Sequence, residues 1–254
     1  MNKTELFMSL HYQEDILFLP NAWDVISAIA IEKASFKALG TTSYGLANAH
    51  GMEDGENIAF ELLLESVRRI IGAVSIPVSV DIEAGYASRT DDIAQNVLSI
   101  AEIGAVGINI EDSRKDKVGL RAVEEQADII RAVRKQLVDN GFETFFINAR
   151  IDTVFQGRPT EETLTRASKY IEAGANGVFV PGLSESGEIK ILTSELDAPV
   201  NIMSLTNLTS LQDLQALGIK RFSMGNAFSD AVISHVEKTA TLMFNDNSTK
   251  ALYP

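Results

Sequence analysis

Eight short runs of β-branched and aromatic residues recur along the chain, each followed by a stretch of different periodicity. This alternation limits the fold more than any other feature of the sequence. The runs are ILFLP (16–20), KALGTTS (37–43), PVSVDIE (77–83), VGINIED (106–112), TFFINAR (144–150), GVFVPG (177–182), PVNIMS (199–204) and KRFSMG (220–225). Between two of them, Ile93, Val97, Ile100 and Ala101 fall on one stripe at helical spacing. EEQADIIRAVRKQL and EETLTRASKYIEAGA read the same way, and Thr160 followed by Glu162 and Thr163 marks a helix start. The helices also end alike. EIGAVGI, EAGANGV and ALGIKRF put Gly104, Gly174 and Gly218 just past a helix and just before a strand. Glycine takes the left-handed cap conformation at little cost.

Strand, helix, glycine, strand is a βαβ unit, and it requires a parallel sheet. Eight such strands in 254 residues predict an α/β fold closed into a (β/α)8 TIM barrel. An open doubly wound sheet fits less well, because no glycine-rich dinucleotide fingerprint follows the first strand. No linker or compositional break interrupts the pattern, so residues 1–254 read as a single barrel domain. SDAVISHVEKTATLMF (229–244) reads as a closing helix and residues 247–254 as a flexible tail.

Composition narrows the function. Hydrophobic residues make up 45% of the chain, enough for a sizeable core. The net charge of −13 comes without a Lys/Arg block, which argues against nucleic acid as a partner. The absence of cysteine excludes disulfides, thiolate nucleophiles and Cys-ligated zinc, and suits a reducing cytosol. No apolar run reaches membrane-spanning length and the first residues lack a signal-type apolar core. The expectation is a soluble cytoplasmic protein with no membrane partner.

In such barrels chemistry sits at the C-terminal ends of the strands. Polar residues collect there: Ser43, Tyr44 and Gly45 after the second run, Asp81 and Glu83 in the third, Asn109, Glu111 and Asp112 in the fourth, Asn148, Arg150 and Asp152 around the fifth, Asn201 and Ser204 in the seventh. In SVDIEAGY (79–86), strand alternation puts Ser79, Asp81 and Glu83 on one face and Val78, Val80 and Ile82 on the other. With Asp81, Glu83 and Glu111 all facing inward, three acids meet at one mouth and call for a cation. Oxygen donors, no cysteine and three histidines favour Mg2+ over Zn2+. Arg150 offers a planar fork for a carboxylate or phosphate, or else an ion pair to Asp152 or Glu111. Segments 44–57 and 113–120 read as lids, the second bringing Lys115 and Lys117 over the site. For Lys115 a solvated position reads at least as well. His11 and His235 read as structural or exposed.

Eight pieces in order carry a family likeness: LPNAWD (19–24), TTSYGLA (41–47), GMEDGE (51–56), VDIEAGY (80–86), GINIEDS (107–113), INARID (147–152), GVFVPGL (177–183) and PVNIMS (199–204). On them the chain resembles the isocitrate lyase/phosphoenolpyruvate mutase superfamily over nearly its whole length, and most of all its short cysteine-free phosphonomutase-like members. The resemblance implies a (β/α)8 barrel whose last helix is often swapped between subunits of a homodimer or homotetramer. It implies Mg2+, a small 2-oxo acid, enolpyruvate or phosphonate substrate, and C–C or P–C chemistry beside a pyruvate enolate. By motif, Asp81 matches the principal metal-binding acid, Glu83 stands at a metal-site position where relatives usually have Asp, Glu111 matches the glutamate that holds metal-bound water, and Arg150 matches the substrate-anchoring arginine. Tyr44, Gly45 and Leu46 match a segment whose amides bind pyruvyl oxygens, with Ser43 and Asn201 as further substrate-binding candidates. Asp54 matches a loop acid beside the reacting group, with His50 as an alternative acid–base, and Lys117 matches the lid lysine. RKDKVGL (114–120) replaces the cysteine-bearing lid of isocitrate-type lyases, Tyr44 replaces a small serine, and Gly182 stands where lyases often have Glu. The expected function is therefore a Mg2+-dependent lyase or mutase cleaving a C–C bond. P–C chemistry and a non-catalytic carboxylate-binding barrel are the alternatives.

Overall fold

The computed structural model describes residues 2–253. Nine parallel strands form one sheet that curls into a nearly closed barrel. They are β1 (Leu17–Leu19), β2 (Asn21–Ala22), β3 (Leu39–Thr41), β4 (Val78–Asp81), β5 (Gly107–Glu111), β6 (Phe146–Arg150), β7 (Gly177–Phe179), β8 (Val200–Met203) and β9 (Arg221–Ser223). Their order is β1-β9-β8-β7-β6-β5-β4-β3-β2, which matches the predicted (β/α)8 fold with its first strand split in two. The split lies at Pro20, which has no N–H for a ladder bond. Thus β1 pairs with β9 and β2 with β3. Asn21 ties this seam: its Oδ1 accepts the Met224 and Gly225 amides at 2.9 and 3.0 Å, and its Nδ2 donates to the Thr41 carbonyl at 2.8 Å.

The helices are α1 (Lys3–Leu10), α2 (Val25–Lys33), α3 (Ser43–Ala49), α4 (Phe60–Ala73), α5 (Thr90–Glu102), α6 (Val123–Asp139), α7 (Thr160–Glu172), α8 (Ser186–Glu195), α9 (Leu211–Ala216) and α10 (Ala227–Asp246). The stripe of Ile93, Val97, Ile100 and Ala101 is buried against the sheet as its spacing requires. Gly104, Gly174 and Gly218 all have positive φ, so each closes its helix as a left-handed cap. Past α10, a 3-10 turn spans Lys250–Leu252; Pro254, in the predicted tail, lies outside the described residues. Among the described residues no helix is long and apolar enough to cross a membrane.

Strand alternation sorts the core into two. Outward-facing Val78, Val80, Ile108, Ile110 and Ile147 join the helices in the main apolar cluster. Inside, α1 plugs the N-terminal end of the barrel, where Phe7, Leu10, Leu17, Leu19, Val106 and Phe146 form a second cluster. A capping box between Asn2 and Glu5 sets the start of that helix. Above the plug the interior turns polar, with Ser79, Asn109, Asn148, Asn201, Arg221 and Ser223 all buried.

His11 belongs to the plug. Its ring stacks on Phe146 at 3.9 Å, and Nδ1 bonds the Phe7 carbonyl at 2.8 Å. Burial, aided by the charge of Arg221, pushes its pKa from 6.5 down to about 3. A buried neutral imidazole contributes stability above the unfolded-state value, and that contribution is lost as pH falls toward the folded one. Between pH 7 and pH 4.5 the His11 contribution should fall by about 2–3 kcal/mol. Urea unfolding of His11→Phe, which keeps the stack, should show a correspondingly smaller loss than wild type over that interval.

Candidate active site

The site is built on the turn that follows β4. The strand stops at Asp81, and Glu83, Gly85 and Tyr86 then take φ of +48°, +109° and +57°. Two non-glycine residues in left-handed conformation mark a segment held by its surroundings. Gly85 is required here, since a Cβ would lie 2.6 Å from the Ile93 side chain. The expected alternation holds for Ser79 and Asp81 but does not extend to Glu83, which reaches the mouth through this turn. Its carboxylate accepts the Glu56 amide at 3.0 Å and the Tyr86 hydroxyl at 2.9 Å. Tyr86 in turn donates its amide to the Glu56 side chain at 2.7 Å.

Two cations bind the acids together. Lys115 Nζ lies 2.7 Å from Glu83 Oε2 and 2.7 Å from Glu111 Oε1. Arg150 Nη1 reaches Glu111 Oε2 at 2.9 Å, while its Nε and Nη2 grip Asp152 at 2.7 and 3.1 Å. Asp152 is itself fixed, its amide donating to Asp112 Oδ1 at 3.0 Å. Asp112 is buried with Arg166 and Tyr170 at 3.1 and 2.9 Å. Asp81 accepts Ser43 Oγ at 3.2 Å and the Glu83 amide at 3.3 Å. Burial raises the pKa of Asp81 against the pull of Arg150. Burial likewise lifts Glu111 to about 7, with Arg150 opposing and Asp152 adding to the rise. Burial disfavours the Lys115 ammonium, but Glu111 and Glu83 outweigh it and hold its pKa above the ordinary value.

Beside this cluster lies a cavity of about 190 Å³ lined by Ser43, Tyr44, Asp54, Asp81, Asn109 and Arg150, among others. Asp54 sits on the loop before α4, its pKa raised by burial and then by the charge of Glu83. Five predicted residues thus share the cavity wall, namely Ser43, Tyr44, Asp54, Asp81 and Arg150, with Glu83 and Glu111 adjoining through the ion pairs.

Other predicted residues stand elsewhere. Leu46 is buried in the main core, and its amide donates to the Thr42 carbonyl at 3.0 Å. The Gly45 amide is taken by Thr42 Oγ1 at 3.4 Å, because Thr42 caps α3. Those two amides are therefore committed inside the chain. Asn201 is buried off the cavity wall, where its Oδ1 accepts Ser223 Oγ at 3.3 Å. His50 turns away, its Nε2 bonding Ser66 on α4 at 3.0 Å. The two lysines of segment 113–120 lie apart. Ser113 bridges Leu120 and the Arg114 amide donates to Gly119 at 3.0 Å, so 113–120 forms a small hairpin. Lys117 lies at its exposed tip, and Lys115 is the lysine that folds inward. Glu56, Tyr86 and Lys115 were not among the predicted site residues. Of the three, the sequence points to Lys115 alone, as a lysine on segment 113–120.

The donor set fits a hard divalent cation, since Asp81, Glu83 and Glu111 supply oxygen alone. Glu83 and Glu111 already converge on one cationic atom, the Lys115 nitrogen. Among the described residues no group of three acids or histidines is arranged to hold a metal ion.

A family model for phosphoenolpyruvate phosphomutase matches residues 7–244. The chain is 38% identical over 222 residues to an uncharacterized protein of Mycobacterium tuberculosis, covering 87% of this chain and 81% of that one. It is 27% identical over 210 residues to 2-methylisocitrate lyase of Halalkalibacterium halodurans, covering 80% and 66% respectively. A crystal structure from Burkholderia cenocepacia J2315, assigned as a phosphonomutase, superposes with a TM-score of 0.89 at 36% identity, covering 94% of this chain and 99% of that one. The chain belongs to the phosphoenolpyruvate phosphomutase family, within the isocitrate lyase/phosphoenolpyruvate mutase superfamily. That superfamily includes lyases, mutases and a phosphonopyruvate hydrolase solved with oxalate and Mg2+.

Proposed function

We propose that the protein is a Mg2+-dependent lyase that breaks a C–C bond beside the carbonyl of a small 2-oxo acid. The observation that carries this reading is the meeting of Asp54, Asp81 and Arg150 on the wall of one small cavity, with Glu83 and Glu111 adjoining it through the ion pairs to Lys115 and Arg150. Asp81, Glu83 and Glu111 would hold the cation once Lys115 withdraws. When bound, it supplies positive charge to the oxygen of the developing enolate. The chain's own residues do the rest. A guanidinium has five N–H groups; two donate to Asp152 and one edge of Nη1 faces Glu111 in an ion pair, which leaves two for a substrate carboxylate. With a hydroxyl two carbons beyond the 2-oxo group, Asp54 takes the hydroxyl proton as the bond between C3 and C4 breaks. The bonding electrons stay on C3 as the enolate, the carbonyl fragment departs, and C3 is then protonated. Closure of 113–120 excludes water from the enolate.

Incubation with Mg2+ and a panel of 2-oxo acids should release a 2-oxo acid and a carbonyl product, and Asp81→Ala should lower turnover by at least about a thousandfold. Phosphate released from phosphonopyruvate, with no C–C cleavage, would favour P–C chemistry. Binding of oxalate with no turnover of any acid would favour a carboxylate-binding barrel.

The same reading includes a cytoplasmic homodimer or homotetramer. The oligomer is supported by α10, which exposes Val232, Ile233, Val236, Leu242 and Phe244, the last to 87%. Monomers rarely leave so long an apolar stripe in water. Sedimentation of Ile233→Glu/Val236→Glu should give monomers where the unaltered chain sediments as an oligomer.

A further inference from the structure

The cavity has two unlike halves. Asp54, Asp81 and Asn109 line it from the β3–β5 side. From the β6–β8 side come Phe155, Phe179 and Met203, with Pro181 after β7. Arg150 stands where the halves meet, its guanidinium 6.0 Å from the centre of the Phe179 ring. No other cationic side chain among the described residues lines the cavity. Its charge is already faced by Glu111 and Asp152, so it offers two N–H groups without surplus positive charge.

Several of the remaining polar groups on the wall are taken. Asn226 Nδ2 donates to Asp230 at 2.6 Å, Ser223 donates to Asn201, and both ends of Asn21 are bonded at the seam. Asn109 is different. Its Oδ1 accepts both Asn148 Nδ2 at 2.9 Å and Arg221 Nη2 at 3.1 Å. With both of those donors on the oxygen, Nδ2 has no partner among the described residues, and Asn109 lines the cavity as a neutral donor. The polar half can therefore orient one carboxylate through Arg150 and one uncharged oxygen through Asn109. Whatever extends toward Phe155, Phe179, Pro181 and Met203 meets apolar side chains, and an anionic group there would lose water against them.

We propose that this cavity selects a 2-oxo monoacid whose far end is an uncharged alkyl group, and discriminates against a second carboxylate or a phosphonate at that end. This rests on the C–C lyase reading above and deepens it. The substrate class is then a 4-hydroxy-2-oxo acid with an alkyl group on C4. Breaking the C3–C4 bond sends the hydroxyl proton to Asp54 and leaves the electron pair on C3. The products are a shorter 2-oxo acid, after protonation at C3, and an alkyl aldehyde or ketone. No oxidant or reductant is needed.

The test uses calorimetry with the full chain and Mg2+. 2-Oxopentanoate and 2-oxoglutarate share a five-carbon 2-oxo acid chain and differ at the far end, methyl against carboxylate. 2-Oxopentanoate should bind at least about tenfold more tightly than 2-oxoglutarate or phosphonopyruvate. Phe155→Arg, at a half-exposed position on the rim, should reverse the order while leaving the melting temperature near that of wild type. Equal or tighter binding of the two anionic ligands by the unaltered chain overturns the inference. Oxalate separates the two levels of the argument, because it occupies only the carboxylate and oxo end. Oxalate binding together with an anionic preference sinks this inference alone. No oxalate binding in the presence of Mg2+ sinks the lyase reading and this inference with it.

Discussion

Replacing Lys115 by methionine is expected to tighten Mg2+ binding by at least about tenfold. The ammonium sits 2.7 Å from a carboxylate oxygen of both Glu83 and Glu111, so a divalent ion between those groups has to break two charge-assisted contacts first. Methionine keeps much of the length and volume of the side chain but removes the competing charge. The same change should cost stability in Mg2+-free buffer, because two buried acids lose the cation between them. The loss should be about 2 kcal/mol. It stays below that of a fully enclosed pair because the Lys115 side chain is 24% exposed, and because Glu111, with its pKa already at about 7, can shed its charge. Saturating Mg2+ should then restore the melting temperature of the variant to that of wild type. Calorimetric titration with MgCl2 and melts with and without the ion measure both effects. An unchanged Mg2+ affinity would show that the ion and the ammonium do not compete for one place.

The barrel was legible because its signals are local and repeated. Apolar spacing fixed α5, and glycines past the helices fixed where each strand could begin. The residues around the mouth were legible wherever they lay on regular strand, as Asp81, Glu111 and Arg150 do. Legibility failed where backbone geometry departed from the pleat. Glu83 arrives through a left-handed turn, so its presence at the mouth owes nothing to the alternation that suggested it. Gly45 and Leu46 fall inside α3, whose cap by Thr42 consumes their amides. The lid hairpin sends Lys117 outward and Lys115 inward. That choice depends on cross-hairpin bonds from Ser113 and Arg114, and on Arg114 being drawn to Asp116 and Glu125. The apolar half of the cavity gave no warning, since Phe155, Phe179, Pro181 and Met203 come from three separate strand ends and read as ordinary core.

Arg150→Met is expected to be the most damaging single change at the mouth, and its damage should divide into two parts. Glu111 and Asp152 are both buried and both lean on this guanidinium. Removing one partner of a buried ion pair leaves an uncompensated charge and typically costs about 3–5 kcal/mol. Chemical unfolding should show a loss of that size, and adding Asp152→Asn should recover part of it by removing one stranded charge. A merely structural arginine would stop there. The lyase reading requires more, namely that Arg150 also presents its two spare N–H groups to a carboxylate. Arg150→Lys tests this, because lysine keeps the charge near Glu111 but not the planar fork. It should retain most of the stability and still lose Mg2+-dependent oxalate binding by at least about a hundredfold. Lysine supporting oxalate affinity close to that of wild type would reduce Arg150 to an internal counter-ion and leave the substrate carboxylate to be held by other groups.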